Sequence, residues 1–344
     1  MKALRKLKEG PLNVELCDID VPEINDNEVL IKVAAAGVCG TDIKIKNGTT
    51  WSNPPVTLGH EISGTIAKMG KNVSGLEIGE RVVAETAQEI CGKCYFCRTG
   101  NYLMCKDRLS IGYGTDGGMA EYIKIRQEII HKIPENVPMD EASLCEPAAV
   151  ATHAVFDSVE ILSTDTVLVA GAGAIGLLVA QIVKSLGAKV IMTGLTKDEK
   201  RLALAKELGI DVTVDIQKED IKSVIEKETD GGLGVNFAYE CSGSAASINM
   251  CLPLVRNKGR FIQIGLTKPN LEIPYSLLTG HEIGIIGTFG HKWDSWEHAL
   301  KLISTGKINV SKLITHKFDL EDWQQAFDIA ESGEGIKVVI HPNK

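Results

Sequence analysis

The stretch Thr166-Val-Leu-Val-Ala-Gly-Ala-Gly-Ala-Ile-Gly-Leu-Leu178 decides the fold. An apolar, β-branched run from Thr166 to Ala170 is followed by Gly171, Gly173 and Gly176 in G-x-G-x-x-G spacing, and then by the apolar residues of a helix. In such a strand, turn and helix, the first glycine permits the turn and the second lets a pyrophosphate approach the backbone. The third lets helix pack on strand, and the helix N-terminus receives the phosphate charge. Glycine-rich turns of ordinary α/β domains share this spacing. What selects the dinucleotide reading is the setting, with a helix expected over Ile175 to Leu186 and a second strand over Lys189 to Thr193. Further strands at Asn236 to Tyr239 and Gly259 to Ile264, and a helix over Asp198 to Leu208, extend the βαβ pattern into a parallel, doubly wound sheet.

Working outward, Asn27 to Ile133 has another texture. Short β-branched runs such as Val29 to Ala34 and Ile62 to Lys68 alternate with glycine turns, which predicts a β-rich domain. Beyond Gly287 the βα alternation stops, and Trp296 to Ser304 and Asp319 to Ser332 read as helices outside the sheet that return to the first domain. A length of 344 residues accommodates two cores, and 44% hydrophobic with 24% charged residues is a folded composition. The formal charge of −8, with Lys and Arg scattered, argues against nucleic acid and anionic membranes as partners. Met1 to Asn13 has no apolar core of a signal peptide and no apolar run is long enough to span a bilayer, so a cytoplasmic location is expected. In that reducing compartment nine cysteines read as metal ligands or small buried side chains, not as disulfides.

Four of them, Cys91, Cys94, Cys97 and Cys105, share one short polar loop that also holds Lys93, Arg98 and Lys106. Four thiolates suit a closed, tetrahedral, structural zinc site with no position left for chemistry. Buried unliganded cysteines would not cluster on such a loop, and a nucleic-acid ribbon would need a basic stripe. A second constellation is dispersed: Cys39 in Gly37-Val-Cys-Gly-Thr-Asp42, His60 and Glu61 in Leu58-Gly-His-Glu61, and Glu146 in Cys145-Glu-Pro-Ala148. One sulfur, one nitrogen and one oxygen ligand would leave a catalytic zinc an open position for a substrate oxygen. Any one of these residues alone reads as an ordinary polar side chain; it is the combination that carries the inference. Thr41 is a candidate for passing the alcohol proton onward, and Asp42 for accepting a hydrogen bond from His60 and fixing its tautomer.

Where an acidic residue would normally end the second strand and hold the adenosine ribose, Met192-Thr-Gly-Leu-Thr-Lys197 places Gly194. Thr193, Thr196, Lys197 and Arg201 are candidates for accommodating a 2'-phosphate, so NADP is expected to be accepted with NAD still usable. Asp198 and Glu199 oppose this, and the same charges also suit a solvated helix start.

Together these residues resemble the zinc-containing medium-chain dehydrogenases, and more narrowly the sorbitol/iditol, threonine and arabitol-phosphate branch, over essentially the whole chain. The resemblance implies a GroES-like catalytic domain at residues 1–148 and 287–344 enclosing a Rossmann domain at 149–286, with the active site in the cleft between them. It implies a catalytic zinc on Cys39, His60 and either Glu61 or Glu146, the latter in the place taken by a cysteine in the simple alcohol dehydrogenases. Ile175 and Arg201 match contacts to pyrophosphate and adenosine. Ile264-Gly265-Leu266 and Gly287-Thr288-Phe289 match the places that hold the nicotinamide end.

Lys44 stands near where many relatives have a proton-relay histidine. The Thr193 to Arg201 stretch and Glu240-Cys-Ser-Gly243 look most like the arabitol-phosphate group, which makes Lys44, His291 and Lys292 candidate phosphate contacts. The implied activity is interconversion of a polyol, or polyol phosphate, and its ketose with NAD or NADP, in a homotetramer or homodimer. Other secondary alcohols, such as a vicinal diol or L-threonine, and a non-catalytic nucleotide-binding role are the alternatives.

Overall fold

The computed structural model describes residues 1–267 and 270–343, which form two compact units. One comprises Met1–Glu146, Lys292–Ser304 and Val310–Lys344; the other comprises Pro147–His291 with Thr305–Asn309. In chain order the elements that place functional residues begin with strand β1 (Glu28–Gly37), helix α1 (Gly40–Lys46) and strands β2 (Glu61–Met69), β3 (Arg81–Ala84), β4 (Tyr122–Arg126) and β5 (Ile130–Lys132). Then come β6 (Thr166–Ala170), α2 (Ala174–Ser185), β7 (Lys189–Gly194), α3 (Glu199–Glu207), β8 (Val212–Asp215), β9 (Val235–Glu240), β10 (Val255–Gln263) and β11 (Gly284–Gly287). The chain ends with α4 (Trp293–Ser304), β12 (Ile314–Asp319), α5 (Trp323–Ser332) and β13 (Lys337–His341).

In the first unit one sheet runs β5-β3-β2-β1-β13-β12, with β4 also pairing β1. Strand β1 therefore has neighbours on both edges, and it is buried almost throughout, so it reads as a nearly continuous apolar run. Its core includes Leu4, Val29, Ile31, Val33, Ile62, Ile66, Ile123 and Phe327. The second unit is a six-stranded sheet in the order β8-β7-β6-β9-β10-β11, parallel in every pairing. That order reverses at β6, which is where doubly wound sheets bind dinucleotides outside the carboxyl ends of the strands.

Several boundaries differ from expectation. The helix expected from Asp319 begins at Trp323, because Asp319 ends β12 and a 3₁₀ turn, Leu320–Asp322, intervenes. The helix expected from Trp296 begins at Trp293. Strand β8 and the short C-terminal strands went unread: Val-Thr-Val-Asp at a sheet edge is only partly buried and too short to show a period. Among the described residues no helix is long and apolar enough to cross a membrane.

Candidate active site

Strand β1 ends at Gly37, opposite Glu61 at the start of β2. The ladder therefore brings the loop carrying Cys39 beside the residue pair His60-Glu61. A Cβ on Gly37 would sit 2.2 Å from Glu61 Oε2, so glycine is the only residue that leaves Glu61 its place. Gly59 adopts φ +91, and a side chain there would run into Met119. The ligand atoms of Cys39, His60 and Glu61 lie within 4.8 Å of one another.

Asp42, third residue of α1, is fully buried and reaches back to cross-link the two ligand loops. Its carboxylate accepts the N–H of Cys39 at 2.9 Å and that of Gly59 at 3.3 Å. The expected hydrogen bond from His60 to Asp42 is not formed: Nδ1 lies 3.7 Å from Oδ1 and has no hydrogen-bond partner. Each carboxylate oxygen accepts a backbone N–H instead, so Asp42 braces the two ligand loops, while its charge helps to raise His60.

The surroundings are strongly anionic. Burial raises the Asp42 carboxyl, and burial together with the charges of Glu61 and Asp42 pushes Glu146 up to about 7. Burial would lower His60, yet the nearby Cys39, Asp42 and Glu146 hold it well above its ordinary value. A largely buried cluster of thiol, imidazole and carboxylates, with Asp42, His60 and Glu146 held toward their protonated forms by burial or by their neighbours, is a donor set that a cation would occupy in place of those protons. Glu146, at the start of the Cys145–Phe156 helix, interacts electrostatically with His60, Glu61 and Lys337, while the compact donor triad is Cys39, His60 and Glu61.

Sequence reasoning missed two features of this site. Lys337 of β13 is 5% exposed, pairs with Glu61 through both carboxylate oxygens and donates to the carbonyl of Val38 at 3.2 Å. Burial alone would lower its ammonium, but Glu61 and Cys39 raise it. The only hint in the sequence is a lysine opening the apolar run Val338-Val-Ile340. The second is an aromatic row: Trp51 meets Tyr113 edge-on at 6.5 Å, and Tyr113 meets His60 edge-on at 6.1 Å. The Tyr113 hydroxyl accepts from Arg108 at 3.1 Å.

Cys91, Cys94, Cys97 and Cys105 form the second donor cluster, also within 4.8 Å of one another and free of disulfides. Cys94 N–H points at the Cys91 sulfur at 3.3 Å, and Cys91 N–H at the Cys105 sulfur at 3.5 Å. The backbone N–H groups of Lys93 and Cys94 hold the Cys91 thiol well below its ordinary value, toward the thiolate that binds metal.

These two donor sets accompany a matching pair of domains. Residues 25–135 match the alcohol dehydrogenase GroES-like domain family and residues 174–305 the zinc-binding dehydrogenase family. The chain belongs to the zinc-binding alcohol dehydrogenases. It is 41% identical to D-arabitol-phosphate dehydrogenase of Enterococcus avium over 100% of this chain and 98% of that protein. It is 40% identical to sorbitol dehydrogenase of Halalkalibacterium halodurans over 99% of each. A solved structure from Sinorhizobium meliloti, bound to NADP, superposes with a TM-score of 0.92 at 29% identity over 99% of each chain.

In this dehydrogenase the second unit carries the glycine motif. Gly171 has φ +102, Gly173 has open space where a Cβ would stand, and a Cβ on Gly176 would lie 1.9 Å from the Gly171 carbonyl oxygen. Ile175 follows in the first turn of α2. Gly194 ends β7, where a side chain would press on Asp198 and Leu202 at 3.2 Å. Thr193 is buried, Thr196 and Lys197 are exposed, and Arg201 stands 3.9 Å from Asp198. Ile264 and Gly265 donate their N–H groups to Glu240, Leu266 and Phe289 are exposed, and Thr288 N–H donates to Gln263. Of the candidate phosphate contacts, Lys44 is exposed on α1, Lys292 pairs with Asp294 at 3.3 Å, and His291 is buried.

Proposed function

We propose that this dehydrogenase oxidises a secondary hydroxyl of a sugar alcohol or sugar-alcohol phosphate to the ketose. The observation that carries the reading is the triad of Cys39, His60 and Glu61, with Glu146 close by in electrostatic contact, in a chain aligned end to end with an arabitol-phosphate and a sorbitol dehydrogenase. Cys39, His60 and one of the two glutamates would hold the catalytic zinc, and Cys91, Cys94, Cys97 and Cys105 the structural one. A zinc held by three protein ligands polarises a hydroxyl and lowers its pKa.

The chain's own residues do the rest. Asp42 fixes the Cys39 and His60 loops before substrate arrives, and Lys337 holds the Glu61 carboxylate against the wall of β1. Thr41, half-buried in the first turn of α1, receives the alcohol proton and passes it outward. Trp51 and Tyr113 present an aromatic wall beside His60 that keeps water from the reacting carbon and packs the apolar face of a polyol chain.

Gly171, Gly173, Ile175 and Gly176 receive the pyrophosphate, and Ile264, Gly265, Leu266, Thr288 and Phe289 the nicotinamide end. With Gly194 in place of a carboxylate and Arg201 nearby, NADP is accepted alongside NAD; the relative solved with NADP supports this. Cytoplasmic location and a homotetramer or homodimer complete the reading.

The test is the initial rate of reduced-nicotinamide formation with each dinucleotide across pentitols, hexitols, their phosphates, a vicinal diol and L-threonine. The highest kcat/KM is expected in a polyol or polyol-phosphate series. A higher value for L-threonine or the diol would overturn the substrate assignment.

A further inference from the structure

Glu240 ends β9 at the carboxyl end of the parallel sheet and is fully buried. Its Oε1 accepts from the N–H of Ser242 at 2.9 Å and from the Ser242 hydroxyl. Its Oε2 accepts from the N–H of Gly243 at 2.9 Å and from Gln263 Nε2 at 2.8 Å. A carboxylate has about four lone-pair sites, and all are used here. The Glu240 carbonyl in turn accepts the N–H groups of Ile264 and Gly265, both at 2.9 Å, and Gln263 Nε2 also donates to the Gly265 carbonyl at 2.7 Å.

One side chain thus ties together the loops that leave β9 and β10, and two further loops rest on them. Gly243 and Gly265 are so close that a Cβ on Gly265 would lie 2.1 Å from the Gly243 nitrogen. A Cβ on Gly171, the first glycine of the dinucleotide motif, would stand 3.3 Å from Ser242 Cβ. Thr288, after β11, donates its N–H to the Gln263 carbonyl at 3.0 Å. Four of the loops at the carboxyl end of the sheet therefore meet at or next to Glu240, at the end where doubly wound sheets take their ligands.

We infer that Glu240 is a positioning residue for the dinucleotide. It holds the Ser242-Gly243 and Ile264-Gly265 loops in their binding arrangement before the cofactor arrives, so their ordering does not subtract from affinity. This rests on the reading that the dinucleotide lies on this end of the sheet.

The discriminating variant is Glu240→Gln. It keeps the volume but turns an amide NH₂ toward backbone and Gln263 donors, so two accepted hydrogen bonds are lost and no cavity is made. The control is Asp165→Asn at the opposite, amino end of the same sheet. There Asp165 accepts from Leu162 N–H at 2.7 Å and Asn236 Nδ2 at 2.5 Å. Titrating zinc-loaded enzyme with NADPH and NADH, followed by nicotinamide fluorescence, should show Kd raised about tenfold or more for Glu240→Gln and within about twofold of wild type for Asp165→Asn.

Ser242→Ala removes the hydroxyl bond to Glu240 and the one accepted from Ser244 N–H at 3.2 Å, and leaves the Glu240 carboxylate in place; its Kd should rise about threefold. An unchanged Kd in the folded Glu240→Gln variant, or in Ser242→Ala if Glu240→Gln does not fold, would overturn the inference. An equal rise in Asp165→Asn would also overturn it, by making the effect a general loss of stability. Wild-type enzyme that binds neither dinucleotide would instead overturn the underlying placement of the cofactor, and the inference with it.

Discussion

Replacing Gly37 by alanine tests the geometry of the donor triad with one methyl group. The added Cβ would lie 2.2 Å from Glu61 Oε2 and 3.1 Å from Glu61 Cβ, about 1 Å inside ordinary contact. Gly37 is held in register opposite Glu61 on one side and Val339 on the other, so β1 has little room to move. The carboxylate must swing away, and it cannot do so without loosening its ion pair with the buried Lys337. Overpacking costs about 1–3 kcal/mol. A buried ion pair that loses a partner entirely costs about 3–5 kcal/mol, so partial loosening brings the total to roughly 2–4 kcal/mol. For a unit of this size that is a fall in Tm of about 4–16 °C.

The displaced carboxylate should also weaken the catalytic zinc while sparing the cysteine-loop zinc. Elemental analysis after dialysis should move from about two zinc per chain toward about one. Gly40→Ala is the matched control, because no atom lies within 4 Å of the Cβ it would add. A Gly37→Ala protein with two tightly held zincs and wild-type Tm would refute the packing argument.

Three further outcomes follow from named contacts. Gly176→Ala places a Cβ 1.9 Å from the Gly171 carbonyl oxygen; it should raise the Kd for both dinucleotides at least about tenfold, measured by calorimetry, and an unchanged Kd would count against the glycine turn as the pyrophosphate site. Cys97→Ser removes one of four sulfur donors; the expected result is loss of about one zinc and faster proteolysis within residues 91–105, with the catalytic zinc retained.

Asp140 is held down to about 2 by hydrogen bonds from His341 and Lys317. Its folded value is depressed below 3.8, so its contribution is fully present above about pH 4 and is lost as pH falls toward about 2. Allowing for partial exposure, that contribution is about 1 kcal/mol. Asp140→Asn should lose it at neutral pH and show a shallower acid limb in thermal melts; parallel melting curves from pH 5 to about pH 2 would contradict the assignment.

How much of this was legible beforehand depended on sequence distance. The motif from Gly171 to Gly176 and the loop from Cys91 to Cys105 are local, so strand, turn, helix and donor spacing could be read directly. Cys39 and the His60-Glu61 pair each lie in a short glycine-containing stretch, and the reason for Gly37 emerges only in three dimensions, where it faces Glu61 across a strand pair. Lys337 was invisible because its partner lies 276 positions away. Asp42 reads from sequence as a partner of His60; the structure sets the two 3.7 Å apart and adds bonds from two backbone N–H groups that no spacing in the sequence shows. Glu240 looked like part of a family signature, and its hydrogen bonds to two loops became apparent only with the sheet order.

The central claim is that hydride chemistry depends on a zinc held by Cys39, His60 and a glutamate. The most direct measurement is paired zinc content and polyol-dependent reduced-nicotinamide formation in wild type and His60→Ala, with dinucleotide binding as the folding control. His60→Ala should lose about one zinc per chain and at least about a thousandfold in turnover, with dinucleotide affinity kept. Turnover within tenfold of wild type, or an unchanged zinc count, would contradict that claim.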